Sequence, residues 1–97
     1  MNQTNETSQP VARFKAGAIQ VAIWENQVNN QGQQTTVLKA SVERRYKDAH
    51  GAWASSNRYG RNDIPLVIYA LKCAFSHIIE QENARTRESN GSPPPAA

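Results

Sequence analysis

The chain has 97 residues, a formal net charge of +3, one cysteine, two tryptophans and 38% hydrophobic residues. That length accommodates one domain whose lone core is marginal, and the single Cys73 excludes an intrachain disulfide framework. The amino terminus lacks the basic and apolar regions of a secretory signal, and no apolar run approaches the roughly 18 residues of a spanning helix. A cytoplasmic location is expected, nucleoid-associated in a bacterium.

Residues 1–10 are dominated by Asn, Gln, Thr and Ser, and residues 80–97 run through Arg, Glu, Ser and Gly into Pro93-Pro94-Pro95. Such composition is not expected to bury enough apolar surface to offset chain entropy. The foldable region is therefore 11–79, with the ends read as a disordered arm and tail. The proline triplet reads as a spacer, its alternative being a polyproline ligand. Within 11–79 nine Lys and Arg oppose four Asp and Glu, so the basic charge is concentrated in the folding part. A basic domain of this kind suggests a polyanionic partner.

The first clear element is a strand over 18–24. Ile19, Val21 and Ile23 alternate with Ala18, Gln20, Ala22 and Trp24, the period of a half-buried strand. A short further strand fits around 11–15, and Gly17 marks a bulge or a close backbone approach. Residues 26–34 have no apolar period and read as a loop. A second strand covers 35–47, Asp48 to Gly51 form a hairpin connection, and a third strand covers 52–59.

A connection of even length places Tyr46 opposite Trp53. Leu38, Ala40, Val42, Tyr46, Trp53 and Tyr59 then share the apolar face of the first strand. Lys39, Arg45, Lys47, Arg58 and Trp24 fall on the other side. An odd-length connection would invert part of this assignment.

A helix follows, with Asn62 or Asp63 as N-cap and Pro65 in the first turn. Ile64, Ile68, Leu71, Phe75 and Ile78 recur at spacings of four and three, and Val67, Ala70 and Ala74 widen the stripe. That is more apolar surface than a three-stranded sheet needs. A homodimer through Ile64, Val67, Ile68, Leu71, Ala74, Phe75 and Ile78 is the simplest use for the excess. The fold class is thus α+β, a curved antiparallel sheet of three to four strands followed by one long C-terminal helix.

The residues with functional potential cluster in 40–61. Cations along a sheet can follow a phosphate backbone, and aromatic rings can stack on unpaired bases. Lys39, Arg45, Lys47 and Arg58 are the candidate phosphate contacts, with Arg44 and Arg61 at the margins. Trp24 is the candidate stacking ring, joined by Tyr46 or Trp53. The bland alternative is a solvated outer face of a half-buried sheet, but Glu43 is the only clear acid on that side. Cys73 and His77 lie four apart on the helix and His50 in a distant turn, too few ligands for a metal. No nucleophile motif, phosphate-cradling glycine loop or carboxylate pair is present, so neither catalysis nor a cofactor is expected.

Two resemblances bear on this reading. Phe14-Lys-Ala-Gly-Ala-Ile-Gln-Val-Ala-Ile-Trp24, the basic hairpin and the Asn62-Asp-Ile-Pro65 helix start resemble a layout found in short prokaryotic and phage proteins. That layout is similar to the positive-cofactor-four-like transcriptional coactivators. The resemblance implies a curved four-stranded sheet before one helix, dimerisation through the helices and single-stranded DNA bound on the sheets.

Glu43-Arg-Arg-Tyr-Lys-Asp-Ala-His-Gly-Ala-Trp53 separately resembles a hairpin of bacterial single-stranded DNA-binding proteins of the OB-fold type. The final strands of such a barrel have no counterpart after Ile79, and Pro-Pro-Pro-Ala-Ala stands in place of that family's acidic tip. Both resemblances imply single-stranded DNA, with RNA as a further possibility. The competing expectations are a protein-interaction adaptor and a β-ribbon regulator of duplex DNA.

Overall fold

The computed structural model describes residues 4–90. Five strands and one helix follow in chain order: β1 (Thr4–Glu6), β2 (Ala12–Ala16), β3 (Ile19–Asn30), β4 (Gln33–Lys47), β5 (Trp53–Ser56) and α1 (Ile64–Asn90). All strand pairs are antiparallel. β1 and β2 occupy the same edge, β2 against the first half of β3 and β1 against its second half, so the sheet is four strands wide. The fold is α+β, an open antiparallel sheet backed by one C-terminal helix.

Turn chemistry sets the register. Gly17-Ala18 joins β2 to β3, and Gly17 has φ +59°, the sign that a two-residue hairpin of this type needs first. Gln31-Gly32 joins β3 to β4 with both residues at positive φ, 53° and 82°. The segment 26–34, expected as a loop, is therefore two strand ends around a two-residue turn. Its Asn and Gln side chains, with Val28 alone among them, give no apolar alternation. They still pair through the backbone, and through bonds such as Thr36 Oγ1 donating to Gln27 Oε1 at 3.1 Å.

The β4–β5 connection is odd. Asp48 N–H donates to the Ala52 carbonyl at 2.8 Å, leaving the three residues Ala49, His50 and Gly51 in the turn, with Gly51 at φ 80°. Asp48 Oδ1 accepts from the amides of His50 and Ala52 at 2.8 and 3.0 Å. Trp53 thus pairs with Lys47 and Ala54 with Tyr46. The expected pairing of Tyr46 with Trp53 is one residue out, and Trp53 lies on the basic side rather than in the core. The third strand is also shorter than 52–59, ending at Ser56.

The inner face of the sheet carries Ile19, Val21 and Ile23, each 0% exposed, with Leu38 beside them. Full burial of such a side chain is worth about 1.5–3 kcal/mol. Helix α1 covers them with Leu66, Val67, Ala70, Ala74 and Ile78, where the two alanines let the helix approach closely. His77 meets the Phe14 ring edge-on at 5.7 Å. Asp63 caps the helix: its carbonyl accepts from Val67 N–H at 2.9 Å, while Oδ2 accepts from Gly60 N–H at 2.9 Å. The Tyr59 hydroxyl donates to the Val42 carbonyl at 2.8 Å, anchoring the approach to the helix.

Both expected chain ends contain ordered structure. β1 pairs with β3, and α1 continues through residues 80–90. Arg85 donates to Glu25 Oε2 at 3.0 Å, fastening the last turns of the helix to the sheet. Pro93 to Pro95 lie outside the described residues.

The helix lies over β2 and β3, reaches β4 at its margin and does not touch β5 among the described residues. Of the expected dimer positions, Ala74 is buried within the chain's own core, and Val67 and Ile78 pack half-buried against it. Ile64, Ile68, Leu71 and Phe75 remain exposed, joined by Tyr69 and Ile79.

A Cβ added at Gly17 would sit 3.1 Å from Leu66 Cδ1, whereas one added at Gly32 would meet nothing within 4 Å. Both positions carry positive φ, which costs an L-residue about 1–2 kcal/mol. Gly17→Ala is therefore expected to lower stability by more than Gly32→Ala, measured as paired urea-unfolding midpoints. Equal losses would show that the Leu66 contact does not constrain the β2–β3 turn.

Candidate nucleic-acid interface

Alternation along the strands sends a second set of side chains to the outer face, away from the helix. Arg13 and Lys15 come from β2, Gln20, Ala22 and Trp24 from β3, Ser41, Glu43 and Arg45 from β4, and Trp53 from β5. Together with Pro10 and the Gly17-Ala18 turn they line one trough of about 680 Å³. Lys39 stands opposite Trp24, and Lys47 opposite Trp53, on the same face.

The two indoles are held differently. Trp24 is half-buried, and its Nε1 donates to Ser41 Oγ at 2.9 Å, fixing the ring across the strands. Trp53 is 61% exposed, with Lys47 Nζ over its ring at 5.4 Å from the centroid. Their register partners on β4 are eight residues apart, so at about 3.3 Å per residue their backbone positions stand on the order of 26 Å apart along the strand, and the Trp24 ring leans toward Trp53 by its bond to Ser41. One ring marks each end of the trough, with cations between and beside them.

Arg45 is the one trough cation with an acidic partner among the described residues. Its Nη1 lies 3.3 Å from Glu43 Oε1 and 3.4 Å from Ser55 Oγ, with both charged groups well hydrated. Arg13, Lys15, Lys39 and Lys47 form no ion pair among the described residues and are exposed. Four hydrated cations on one face of the sheet, Arg13 and Lys15 in the trough and Lys39 and Lys47 beside it, attract anions at a distance and lose little internal bonding on contact.

The other expected site residues lie elsewhere. Arg44 is on the inner face, its Nε 3.7 Å from Asp63 Oδ2 and its guanidinium 5.0 Å over the Tyr46 ring. It serves the helix start, and Tyr46 is its partner on that side. Arg58 follows β5 and offers its carbonyl to Arg44 Nε at 3.5 Å, while Arg61 is exposed in the turn before α1. None of these four lines the trough.

Conversely, Arg13 and Lys15 were not among the residues expected at the site. Their signal is the alternation Arg13-Phe14-Lys15, which puts both cations opposite a core phenylalanine once that segment is accepted as a strand. No group of three or more His, Cys, Asp or Glu side chains able to hold a metal occurs among the described residues, and no described helix is long and apolar enough to cross a membrane.

Comparison with protein-family models, curated proteins and solved structures returned no match.

The different settings of the indoles are measurable. In Trp24→Phe, the remaining Trp53 emission is expected to be strongly quenched by acrylamide. In Trp53→Phe, the remaining Trp24, tied to Ser41 and half-buried, is expected to be quenched less. The reverse order of quenching constants would contradict the assignment of Trp53 to the open end of the trough.

Proposed function

We propose that this chain is a non-enzymatic single-stranded DNA-binding protein that lays the strand along the outer-face trough. One observation carries the reading: Trp24 and Trp53 line a single trough with Arg13, Lys15 and Arg45, and Lys39 and Lys47 flank it on the same face as the register partners of the two indoles. Stacking on an exposed ring is worth about 1–3 kcal/mol per base and is available only where bases are unpaired. Phosphate contacts supply the rest and are largely blind to sequence. Strands opened during replication, recombination or transcription would be the ligands, and RNA would share the chemistry.

The layout is in keeping with the resemblance to the positive-cofactor-four-like coactivators. A second copy would pack against the exposed stripe of Ile64, Ile68, Leu71 and Phe75, where Phe75 is 64% and Ile68 61% exposed. The uncovered inner face of β4, including exposed Ala40, lies on the half of the sheet that α1 leaves open. A homodimer formed there keeps both troughs free, since the helix and the trough occupy opposite faces.

The β-ribbon reading is less well served, because the longer hairpin, from Asn26 to Thr36, contains no Lys or Arg to meet a duplex backbone. The cations of the β4–β5 hairpin divide between the two faces of the sheet, Arg45 and Lys47 on one and Arg44 on the other. The adaptor reading has the exposed helix stripe in its favour, but that stripe is compatible with the dimer and leaves the trough unexplained.

Titration of a labelled single strand and its duplex at two salt concentrations tests the proposal. Tighter, steeply salt-dependent binding of the single strand is expected. Arg13→Ala with Lys15→Ala should flatten the log–log salt slope by about 1.4, at about 0.7 per phosphate contact. Arg58→Ala with Arg61→Ala should leave it unchanged. Preference for the duplex, or a slope insensitive to Arg13 and Lys15, defeats this reading. For the dimer, Phe75→Glu should shift the sedimentation coefficient to that of a monomer while the circular dichroism spectrum stays folded. An unchanged coefficient removes the helix stripe from the interface.

A further inference from the structure

We infer that the trough reads one base at its floor and prefers guanine there to thymine. This deepens the proposed binding of single strands and rests on it. The motivating feature is Glu43, the one carboxylate lining a surface whose other charged residues, Arg13, Lys15 and Arg45, are all cations. An acid among phosphate-binding residues repels the backbone, so it disfavours any ligand contact except one that brings a hydrogen-bond donor.

The register puts a specific set of groups beside it. Lys15 pairs with Gln20, and Gln20 pairs with Glu43, so three polar side chains of three neighbouring strands form one row across the trough. The adjacent outer-face row passes through Arg13, Ala22 and Ser41, where Ala22 is buried and the Trp24 indole donates to Ser41 Oγ, so the Lys15–Gln20–Glu43 row is bordered by that ring on one side. Glu43 Oε1 accepts from Arg45 Nη1 at 3.3 Å, which orients the carboxylate and leaves its second oxygen without a hydrogen-bond partner among the described residues.

A carboxylate only accepts, an amide does both and an ammonium only donates. In a single strand the Watson–Crick edge of each base is free to meet such a row. Guanine presents two neighbouring donors, N1–H and the exocyclic amine, that fit the two carboxylate oxygens. Its O6 faces the amide donor of Gln20, while Lys15 at the end of the row remains a phosphate contact. Cytosine and adenine each offer one amine. Thymine offers N3–H between two carbonyl oxygens, which a carboxylate repels. Bases stacked at the two indoles remain unselected, so the preference belongs to a single position.

The test is fluorescence anisotropy with an all-thymine oligonucleotide of about 15 nucleotides, within the span such proteins cover. A second oligonucleotide is identical except for one central guanine. The wild-type protein is expected to bind the guanine strand roughly fivefold tighter, the lower end of what a bidentate base contact supplies. Glu43→Gln preserves size and the bond to Arg45 but removes the charge and adds a donor. It should bind the all-thymine strand more tightly and bring the two affinities within about twofold.

Equal wild-type affinity for both strands sinks the base readout while leaving single-strand binding intact. A guanine preference that survives Glu43→Gln sinks the role of Glu43. Failure to bind either strand overturns this inference together with the proposed function.

Discussion

The ladder between β3 and β4 sets the other distances in the molecule. Ile19 to Asn30 pair one-for-one with Arg44 back to Gln33. A slip of one residue would send Ile19, Val21 and Ile23 to water and bring Trp24 and Gln20 beneath the helix. The apolar alternation in the first half of β3 forbids that slip. The second half, nearly all Asn, Gln and Val, has no such preference and follows the register already fixed. The two-residue turn at Gln31-Gly32, with both residues at positive φ, closes the ladder without a spare residue to absorb an error.

From this register comes a division of labour between two faces of one sheet. The inner face is closed by α1 through side chains that are small where the contact is tightest, Ala70 at 0% and Ala74 at 1% exposure. Larger residues at those positions would lift the helix and open the Ile19–Val21–Ile23 layer, so the burial that stabilises the sheet depends on the least bulky part of the helix. The helix is also offset toward β2 and β3. That offset leaves a flank with Ile68 and Phe75 in water and the inner face of β4 only partly covered.

The elements with a strong apolar period were legible in the sequence: the core of β3, the core of β4 and the first half of α1. The second half of β3 and the start of β4 were not, because their polar residues pair through the backbone without an apolar alternation to mark the strand. The helix beyond Glu80 was missed for a related reason. Its outer turns are charged, and it is held by one long-range pair, Arg85 with Glu25, separated by 60 residues in sequence.

Trp53 is the most instructive difference. Its face depends on whether three or four residues turn between β4 and β5, and Asp48 with Gly51 decides the matter by accepting two amides and adopting positive φ. A single residue of turn length thus moves a large ring from the expected core to the trough. Among the cations, Lys39, Arg45 and Lys47 follow from β4 alternation alone. Arg44 follows from it equally, on the opposite face.

Keeping the trough positive has a cost that the fold spreads thinly. Same-face neighbours along a strand, such as Arg13 and Lys15, stand roughly 6.6 Å apart, where two like charges in water repel by about 0.6 kcal/mol before salt screening. Exposure keeps each term small, and Gln20, Ser41 and Ser55 place neutral polar groups in the same cross-strand rows as Lys15, Arg13 and Arg45. Burying the same cations would demand partners, and partners would consume the charge. A polyanion laid along the trough removes the repulsion and adds attraction at once. On the proposed function, the unpaired state of Arg13, Lys15, Lys39 and Lys47 would be a modest strain in the free protein that a phosphate backbone would relieve, linking ligand binding and fold stability through the same side chains.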